Sequence, residues 1–466
     1  METPYYFRKT TTVQELIDTH NSLEDGTGSG ITVSIAGRMM LRRDQGKIAF
    51  GVLQDGTGRI QLFAPAKVTP DFEKFVALNL GDWLGVTGEV MKTKRGELSV
   101  KVEDWVVLAA TQNPFPDKWH GISDPDTRYR QRYVDLWVTE EARKTFILRS
   151  RLLSLTRKWL EDKSFMEVET PVFHPIPGGA LAKPFTTHHN ALDIELYLRI
   201  APELYLKRLV VGGFEKVFEI ARVFRNEGLS TRHNPEFTML ELYEAYADWE
   251  DIMKLSENLI EYLAIELTGS PVVSFDGKEL NLSAPWKRIP MVELIKEHIN
   301  EEVSLETPIE NLQTLCNKLD IEFESEYGAG KLILEIYEKT VEPNLWDPCF
   351  VTEYPKEVSP LSRDHREKLG FTERFEGIVA GREILNGFSE LVDPDEQMDR
   401  FKEQIQKSES GDEEAMGLDS DYVRALEFGL PPTGGIGIGI DRLVMLLADV
   451  QTIRDVVLFP TLRPEQ

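Results

Sequence analysis

A charged segment between two apolar runs is the part of the chain best equipped for chemistry. The runs, 217–220 and 237–240, are separated by turn-forming residues, so the pattern predicts a strand, a long loop and a second strand. This segment supplies a guanidinium, a carboxylate, an imidazole and an aromatic ring, from Arg225, Glu227, His233 and Phe237. A guanidinium pairs with phosphate through two parallel hydrogen bonds, and an aromatic face stacks on a purine. The segment therefore predicts a nucleotide site, although a lone Arg-x-Glu would indicate a surface ion pair.

Glycine and isoleucine alternate over residues 434–440, just before Arg442. A dinucleotide-binding fold needs G-x-G-x-x-G, but Ile440 stands where that motif needs a third glycine after Gly437. The alternation instead predicts a strand with one bare face, over which a flat ligand can pass closely.

The two segments together resemble motifs two and three of the class II aminoacyl-tRNA synthetases. Motif two of that family is Arg-x-Glu, a loop, then Arg or His with Phe four residues on, which the first segment matches. Motif three is G-x-G-x-G-x-x-R, matched here by Gly435, Gly437, Gly439 and Arg442. A helix-then-strand pattern over about 147–172, with Pro171 in place, is similar to motif one. Three motifs in the family's order are a specific signal. Within subclass IIb the chain is most similar to the bacterial enzymes for lysine, from Tyr5 to Pro464.

The resemblance implies a two-step reaction with ATP, L-lysine and tRNA(Lys). Lysine's carboxylate attacks the α-phosphorus of ATP, and the activated lysine passes to the 3′ end of the tRNA. Such chemistry asks the protein mainly for positioning and charge neutralisation. The resemblance implies Arg225 and Arg442 as the catalytic residues. The implied ATP-binding residues are Arg225, Glu227, His233, Phe237, Glu376, Glu383 and Arg442.

Two carboxylates flank a turn at Gly381. Glu376 and Glu383 lie on the two arms of the predicted hairpin, where both can face one cation. Oxygen-only ligands suit Mg²⁺, which proteins usually hold through one or two carboxylates and substrate phosphates. Paired carboxylates also do acid–base work. Adenylation requires no proton transfer from the amino acid's carboxylate, so we expect a Mg²⁺ site.

A second group of acceptors suits a buried ammonium, which costs free energy unless it is paired. Glu241 and Tyr243 share a face of their predicted strand, and Glu390 ends the NGFSE segment. Glu203 stands at a predicted helix start, where a carboxylate can also be a cap. In the resembled family this glutamate holds the substrate's α-amino group. The implied lysine-binding residues are Gly179, Glu203, Glu241, Tyr243, Asn386, Phe388 and Glu390. The neighbouring histidines at 188 and 189 point to opposite faces of a strand, so we interpret them as structural.

The fold class predicted is a multidomain α+β protein. Short alternating strands with glycine turns over 31–109 predict a five-stranded barrel of the OB-fold type. Spacing alone leaves open a barrel that binds nothing, but the resemblance implies anticodon binding by Arg43, Phe50 and Gln61. A class II catalytic domain, with an antiparallel sheet and flanking helices, is expected after it. The predicted ranges are 1–110 for the OB-fold, 111–138 for a linker and 139–466 for the catalytic domain. Within the catalytic domain we expect motif two at about 217–243, a helical insertion at about 250–345 and motif three at about 434–450.

Composition gives mixed indications. The 53 Lys and Arg against 79 Asp and Glu give a net charge of −26, which argues against a nucleic-acid binder unless basic residues cluster. They do cluster, at 38–47 and 92–95. Two cysteines without C-x-x-C spacing, and the absence of any leader or long apolar run, predict a cytoplasmic protein without membrane contact. Motif one implies a homodimer, and residues 408–417 predict a loop.

Two other functions are compatible with parts of the pattern. A related enzyme could transfer activated lysine to a protein, but the OB-like region argues against this because such an enzyme reads no anticodon. A nucleic-acid-binding scaffold with an inactive catalytic domain is the second alternative. The intact Arg225, Glu376, Glu383 and Arg442 argue against it.

Overall fold

The computed structural model describes residues 4–113, 115, 122–409 and 416–465. The chain forms two compact units, residues 1–140 and 141–466. The predicted linker, 111–138, contains two helices that belong to the first unit, and the predicted domain boundaries stay predictions. The predicted loop at 408–417 lies largely outside the described residues.

The first unit is built on a closed barrel with strand order β1-β2-β3-β5-β4, which confirms the predicted OB-fold. Its elements are α1 (Val13–His20), β1 (Gly28–Asp44), β2 (Ile48–Gln54), β3 (Arg59–Pro65), α2 (Phe72–Val76), β4 (Trp83–Lys92), β5 (Leu98–Ala109), α3 (Pro125–Arg130) and α4 (Arg132–Val138).

The turn between β2 and β3 also fastens α1 to the barrel. Asp55 accepts hydrogen bonds from the backbone amides of Thr57 and Gly58, at 2.7 and 3.0 Å, as turn-forming aspartates do. Its other oxygen accepts from the amide of Val13 at 3.1 Å. Side chains alternate between the barrel interior and the surface, as the period of two predicts.

The second unit begins with the long helix α5 (Glu140–Asp162), whose first residue belongs to the first unit. Its strands are β6 (Met166–Glu167), β7 (Phe173–His174), β8 (Thr186–His189), β9 (Ile194–Leu198), β10 (Lys216–Phe224), β11 (Glu236–Ala245), β12 (Val272–Phe275), β13 (Lys278–Asn281), β14 (Lys287–Pro290), β15 (Cys349–Thr352), β16 (Arg374–Ile378), β17 (Glu383–Ser389) and β18 (Thr433–Gly439). Its other helices are α6 (Glu203–Val211), α7 (Trp249–Thr268), α8 (Met291–Ile299), α9 (Ile309–Lys318), α10 (Ala329–Thr340), α11 (Pro394–Glu409), α12 (Ser420–Glu427), α13 (Ile440–Leu447) and α14 (Ile453–Val456), with 3₁₀ helices at Glu342–Asn344 and Lys356–Val358.

An eight-stranded sheet, in the order β14-β15-β16-β17-β18-β11-β10-β6, is the framework of this unit. The pairings from β15 to β10 are antiparallel, and the two outermost pairings are parallel. Helices α7 and α13 contribute buried apolar side chains to a core shared with the sheet. The strand–loop–strand prediction is confirmed by β10 and β11, and the Gly–Ile strand is β18, paired between β11 and β17.

The later part of the region predicted as a helical insertion, from residue 291 onward, has a hydrophobic core separate from that of the large sheet, whereas α7 belongs to the core of the large sheet. Helices α8, α9 and α10 pack together with β15, and Leu312, Leu332 and Ile336 are fully buried there. The β12–β13 hairpin turns at Asp276–Gly277, and its apolar side chains join the core of the large sheet. The two cysteines are buried free thiols, one on α9 and one on β15.

Candidate active site

A cavity of about 390 Å³ lies on the eight-stranded sheet. Alternate residues of β11, β16, β17 and β18 line it, and alternate residues of a strand share one face of a sheet. Every residue predicted for ATP or lysine lines this cavity except Glu390. The structure therefore brings together side chains from segments far apart in the sequence.

The β18 glycines form the floor of the cavity. Gly435 pairs with Tyr243 on one side and Phe388 on the other, and Gly437 pairs with Glu241 and Asn386 in the same way. A Cβ at Gly435 would lie 2.5 Å from a ring carbon of Tyr243. The bare strand thus leaves room between the β11 and β17 side chains, as the Gly–Ile alternation predicts.

A cationic end of the cavity surrounds Arg225. Its guanidinium lies 5.2 Å from the centre of the Phe237 ring, and its Nε has no hydrogen-bond partner among the described residues. Burial lowers the pKa of this guanidinium, because a charge is costly away from water. An anion bound here would satisfy both the charge and the unpaired donor.

His233 and Arg442 extend the cationic end. An Arg442 Nη lies 3.4 Å from His233 Nε2, while the Ser230 hydroxyl lies 3.0 Å from Nδ1. Burial and then Arg442 lower the pKa of His233. The imidazole is therefore neutral at neutral pH. Glu227 lines the cavity in the same loop.

The two hairpin carboxylates, Glu376 and Glu383, each have an arginine partner. Arg374 donates to Glu376 at 2.7 Å, and Arg442 donates to Glu383 at 2.9 Å. Burial raises the pKa of Glu376 to about 8. Burial also opposes the charge on Glu383, but the neighbouring arginines, Arg442 foremost with Arg225 and Arg374, together outweigh it and lower the pKa of that carboxyl. Both line the cavity, and no group of three or more acidic, histidine or cysteine ligands occurs in the described part of the chain.

The opposite end of the cavity is acidic. Glu203 and Glu241 are buried there, and the Tyr243 hydroxyl donates to Glu241 at 3.3 Å. Burial raises the pKa of Glu241 well above its usual range, and Glu203 adds to that rise. Gly179, with a φ of +89°, brings its backbone against Glu203 in a conformation that favours glycine. A cation bound at this end would offset the buried negative charge of Glu241.

Comparison with known proteins identifies this arrangement. Residues 124–463 match the family model of class II tRNA synthetases (D, K and N), and residues 33–108 match that of the OB-fold nucleic acid binding domain. The chain belongs to the class II tRNA synthetases. The lysine–tRNA ligase of Xanthomonas oryzae pv. oryzae is 54% identical to it over 440 residues, covering 94% of this chain and 87% of that protein. The ligases of the same name from Carboxydothermus hydrogenoformans and Legionella pneumophila are 50% and 49% identical, over 98% and 99% of this chain and 93% and 94% of each protein.

This class II synthetase fastens its motifs together through a residue that sequence reasoning missed. Arg149 of α5 donates to Asp441 at 2.5 Å and to the Thr238 hydroxyl at 3.0 Å. Asp441 in turn accepts from the Thr238 amide at 2.6 Å. Thr238, which follows Phe237, and Asp441, which precedes Arg442, are thus held to one another. Nothing local in the sequence indicates this link.

Sequence reasoning also missed two charged residues, Arg374 and Lys207, that contact the predicted ones. Arg374 donates to Asn386 at 3.1 Å as well as to Glu376, and so joins the two ends of the cavity. Glu390 is fully buried and contacts the ammonium of Lys207, a residue of the synthetase itself. The spacing of Glu203 and Lys207, four residues apart on a helix, is a signal that could have revealed this pair.

The synthetase's OB-fold carries the predicted anticodon residues on its surface. Arg43, Phe50, Phe63 and Lys101 occupy paired positions across β1, β2, β3 and β5. The centres of the Phe50 and Phe63 rings lie 5.6 Å apart. Gln61 lies on β3 two residues before Phe63, and its side-chain amide donates to the Ser99 hydroxyl at 2.9 Å. The barrel thus places the three predicted residues close together on adjoining rows. Phe63 is a further aromatic ring beside them.

Proposed function

We propose that this chain activates L-lysine with ATP and transfers it to the 3′ end of tRNA(Lys). The acidic end of the cavity, opposite the end that holds Arg225, carries the proposal. An enzyme for aspartate needs a cationic pocket for the side-chain carboxylate, whereas this end presents Glu203 and Glu241. The names of the relatives agree with this choice.

The residues divide the first step between them. Arg225 holds the α-phosphate and offsets the charge that develops as the amino acid's carboxylate attacks it. Phe237 and Arg442 hold the two faces of the adenine, and His233 with Arg442 takes the outer phosphates. Because such a reaction depends on positioning and charge neutralisation, none of these side chains has to exchange a proton with lysine.

The hairpin carboxylates fit Mg²⁺. Glu376 and Glu383 offer oxygen ligands at the edge of the cationic end, and Mg²⁺ commonly takes only one or two protein carboxylates together with substrate phosphates. Bound there, the ion would neutralise phosphate charge during adenylation. Arg374 and Arg442 hold the two carboxylates in place.

The acidic end selects lysine. Glu203 accepts from the α-ammonium of the substrate, while Glu241, Tyr243 and Glu390 surround the side chain's ammonium. Asn386 and Phe388 complete the wall, and Gly179 passes behind the substrate. A site built around a polar group rejects analogues that lack it, because its own buried groups are left unpaired.

The floor glycine gives a direct test of substrate placement. Changing Gly435→Ala puts a methyl group 2.2 Å from a Glu390 oxygen and 2.5 Å from the Tyr243 ring. We expect KM for lysine to rise about 5- to 150-fold, while KM for ATP changes little, because overpacking a tight site costs about 1–3 kcal/mol. Pyrophosphate exchange kinetics measure both constants.

Gly213→Ala is the control, because a Cβ there meets nothing within 4 Å, although its φ of +95° is strained for alanine. Equal effects of the two substitutions on lysine would contradict the placement of lysine over Gly435.

If the OB-fold binds the anticodon, a substitution there should affect tRNA charging but not lysine activation. We expect Phe50→Ala to lower the charging efficiency of tRNA(Lys) by roughly 5- to 150-fold, since base stacking is worth about 1–3 kcal/mol. Lysine activation measured without tRNA should not change. Tyr5→Ala is the control, because that ring is exposed and lies outside the barrel. Equal losses in activation and charging would contradict anticodon binding by the OB-fold.

Charging of tRNA(Lys) with radiolabelled lysine tests the proposed function as a whole. Acid-precipitable label should appear on tRNA(Lys) and not on tRNA(Asp) or tRNA(Asn). Label on a protein acceptor instead would favour the related lysine-to-protein enzyme, and no label with any acceptor would favour the scaffold.

We also propose a homodimer. Ile147 on α5 and Phe173 on β7 are 52% and 54% exposed apolar side chains within or next to the motif-one region. Sedimentation velocity of the full chain tests it.

No helix among the described residues is long and apolar enough to span a bilayer, and the cytoplasmic location stays a prediction.

A further inference from the structure

Lys207 is a buried cation beside the proposed amino-acid site that the reaction above does not use. It lies on α6, one turn after Glu203, and its side chain is fully buried. Its ammonium contacts a carboxylate oxygen of Glu203 and one of Glu390. It also lies 5.5–5.9 Å from three ring centres, those of Tyr243, Phe388 and Tyr422. Two carboxylates predicted for substrate ammonium groups are therefore already paired with a cation of the chain.

The second oxygen of Glu390 remains available. Oε1 is buried and has no hydrogen-bond partner among the described residues, and Oε2 has none besides its ion pair with Lys207. It faces Gly435, because a Cβ built on that glycine would lie 2.2 Å from it, and Gly435 lines the cavity. A buried oxygen without a donor is costly, so this position favours a ligand that brings one. Glu390 can thus serve Lys207 with one oxygen and a ligand with the other.

The charges of the acidic end match the two ammonium groups of free lysine. Three carboxylates (Glu203, Glu241 and Glu390) stand there against one buried cation, Lys207, which leaves two excess negative charges. The carboxylate of lysine is accounted for separately, because it attacks the α-phosphate that Arg225 holds. Without Lys207 the excess would be three.

Burial makes a third excess negative charge hard to hold. It raises the pKa of Glu203 and of Glu390, and Lys207 opposes the rise in both. Burial also opposes the charge of Lys207, but the two glutamates outweigh it and raise the pKa of the ammonium. If Lys207 were neutral, the glutamates would keep their protons and lose their attraction for a substrate ammonium.

We propose that Lys207 is a positioning residue that keeps Glu203 and Glu390 charged and directs the free oxygen of Glu390 at the substrate's side-chain ammonium. It thereby sets the preference for an amino acid with two ammonium groups. The inference rests on the proposed function. Ionisable groups that face this pair come from α6, β11, β16 and α12, namely Glu203, Glu241, Tyr243, Arg374 and Tyr422.

Lys207→Met in the full chain tests the proposal, because methionine keeps most of the length of the side chain and removes its charge. At about pH 7 we expect KM for lysine to rise at least about 100-fold, with KM for ATP nearly unchanged. As the pH is raised toward about 9, at least about tenfold of the loss relative to the wild type at the same pH should return, because the two carboxyls ionise while lysine's side-chain ammonium stays charged. Taking the ratio to the wild type removes the effect of deprotonating lysine's own α-ammonium. The wild type should show no such recovery.

A structural role alone gives a different result. A variant with a lower melting temperature, an unchanged KM for lysine and no altered pH profile would overturn the proposal. An equal loss for ATP and lysine at every pH would overturn it as well.

If Lys207→Met does not fold, a second pair of variants answers the question. Lys207→Met combined with Glu203→Gln removes one charge of each sign, and Glu203→Gln alone is its reference. We expect the double variant to have a KM for lysine at least about tenfold higher than the reference, with the same recovery at high pH, because Glu390 still lacks its cation. Equal KM values would overturn the proposal. Wild-type activity with lysine is measured first, so loss of the proposed function itself is recognised separately.

Discussion

Arg225→Ala should abolish adenylate formation and leave the protein folded. Arg225 is a half-buried cation at the end of the cavity where the α-phosphate is expected. Removing a preorganised charged group of this kind costs at least about 10³-fold in rate. The fold should not suffer, because the Nε of Arg225 has no hydrogen-bond partner among the described residues and burial already disfavours its charge. The measurements are lysine-dependent pyrophosphate exchange and the thermal unfolding midpoint.

Arg424→Ala is the matched control for this substitution. Arg424 is an exposed arginine on α12 that is paired with Asp421, so its loss should change neither measurement. If Arg225→Ala unfolded the protein while retaining exchange per folded molecule, Arg225 would be a structural ion-pair residue and the phosphate assignment would be wrong.

Glu390→Gln should weaken lysine binding strongly and leave ATP binding nearly intact. The substitution keeps the shape of the side chain but removes a buried charge that contacts Lys207 and faces the floor glycine. Truncating one partner of a buried charge pair costs about 2–5 kcal/mol, which is about 30- to 4,000-fold in Kd. Calorimetric titration of lysine and of ATP into the same preparation separates the two effects. Discrimination against uncharged lysine analogues should fall as well.

Glu353→Gln provides the comparison for a buried glutamate elsewhere. Glu353 is also buried and contacts a lysine, Lys368, but it does not line the cavity. Its substitution should alter lysine affinity little. Intact lysine affinity in Glu390→Gln would mean that the side-chain ammonium of the substrate is held elsewhere.

Local sequence patterns were sufficient for the framework of the site. The apolar runs on either side of Arg225 and the Gly–Ile alternation depend only on neighbouring residues, and each became a strand of the same sheet. The β16–β17 hairpin follows from two such runs around Gly381. These features are predictable because their period and turn residues lie within a few positions of one another.

Long-range pairing of charges was not predictable in the same way. Arg149 and Asp441 are 292 positions apart, and no pattern near either residue indicates the other. Glu390 was expected to face only the substrate, yet its nearest cation belongs to α6. The i, i+4 spacing of Glu203 and Lys207 was visible, but only the fold reveals that Glu390 meets the same ammonium.

The amino-acid dependence of ATP–pyrophosphate exchange tests the central claim most directly. Wild-type protein is incubated with ATP, labelled pyrophosphate, magnesium and each of the twenty amino acids in turn, without tRNA. The charges around Glu203, Glu241 and Glu390 predict that lysine alone supports rapid exchange. Faster exchange with aspartate or asparagine than with lysine would contradict the assignment of the acidic end to a lysine ammonium.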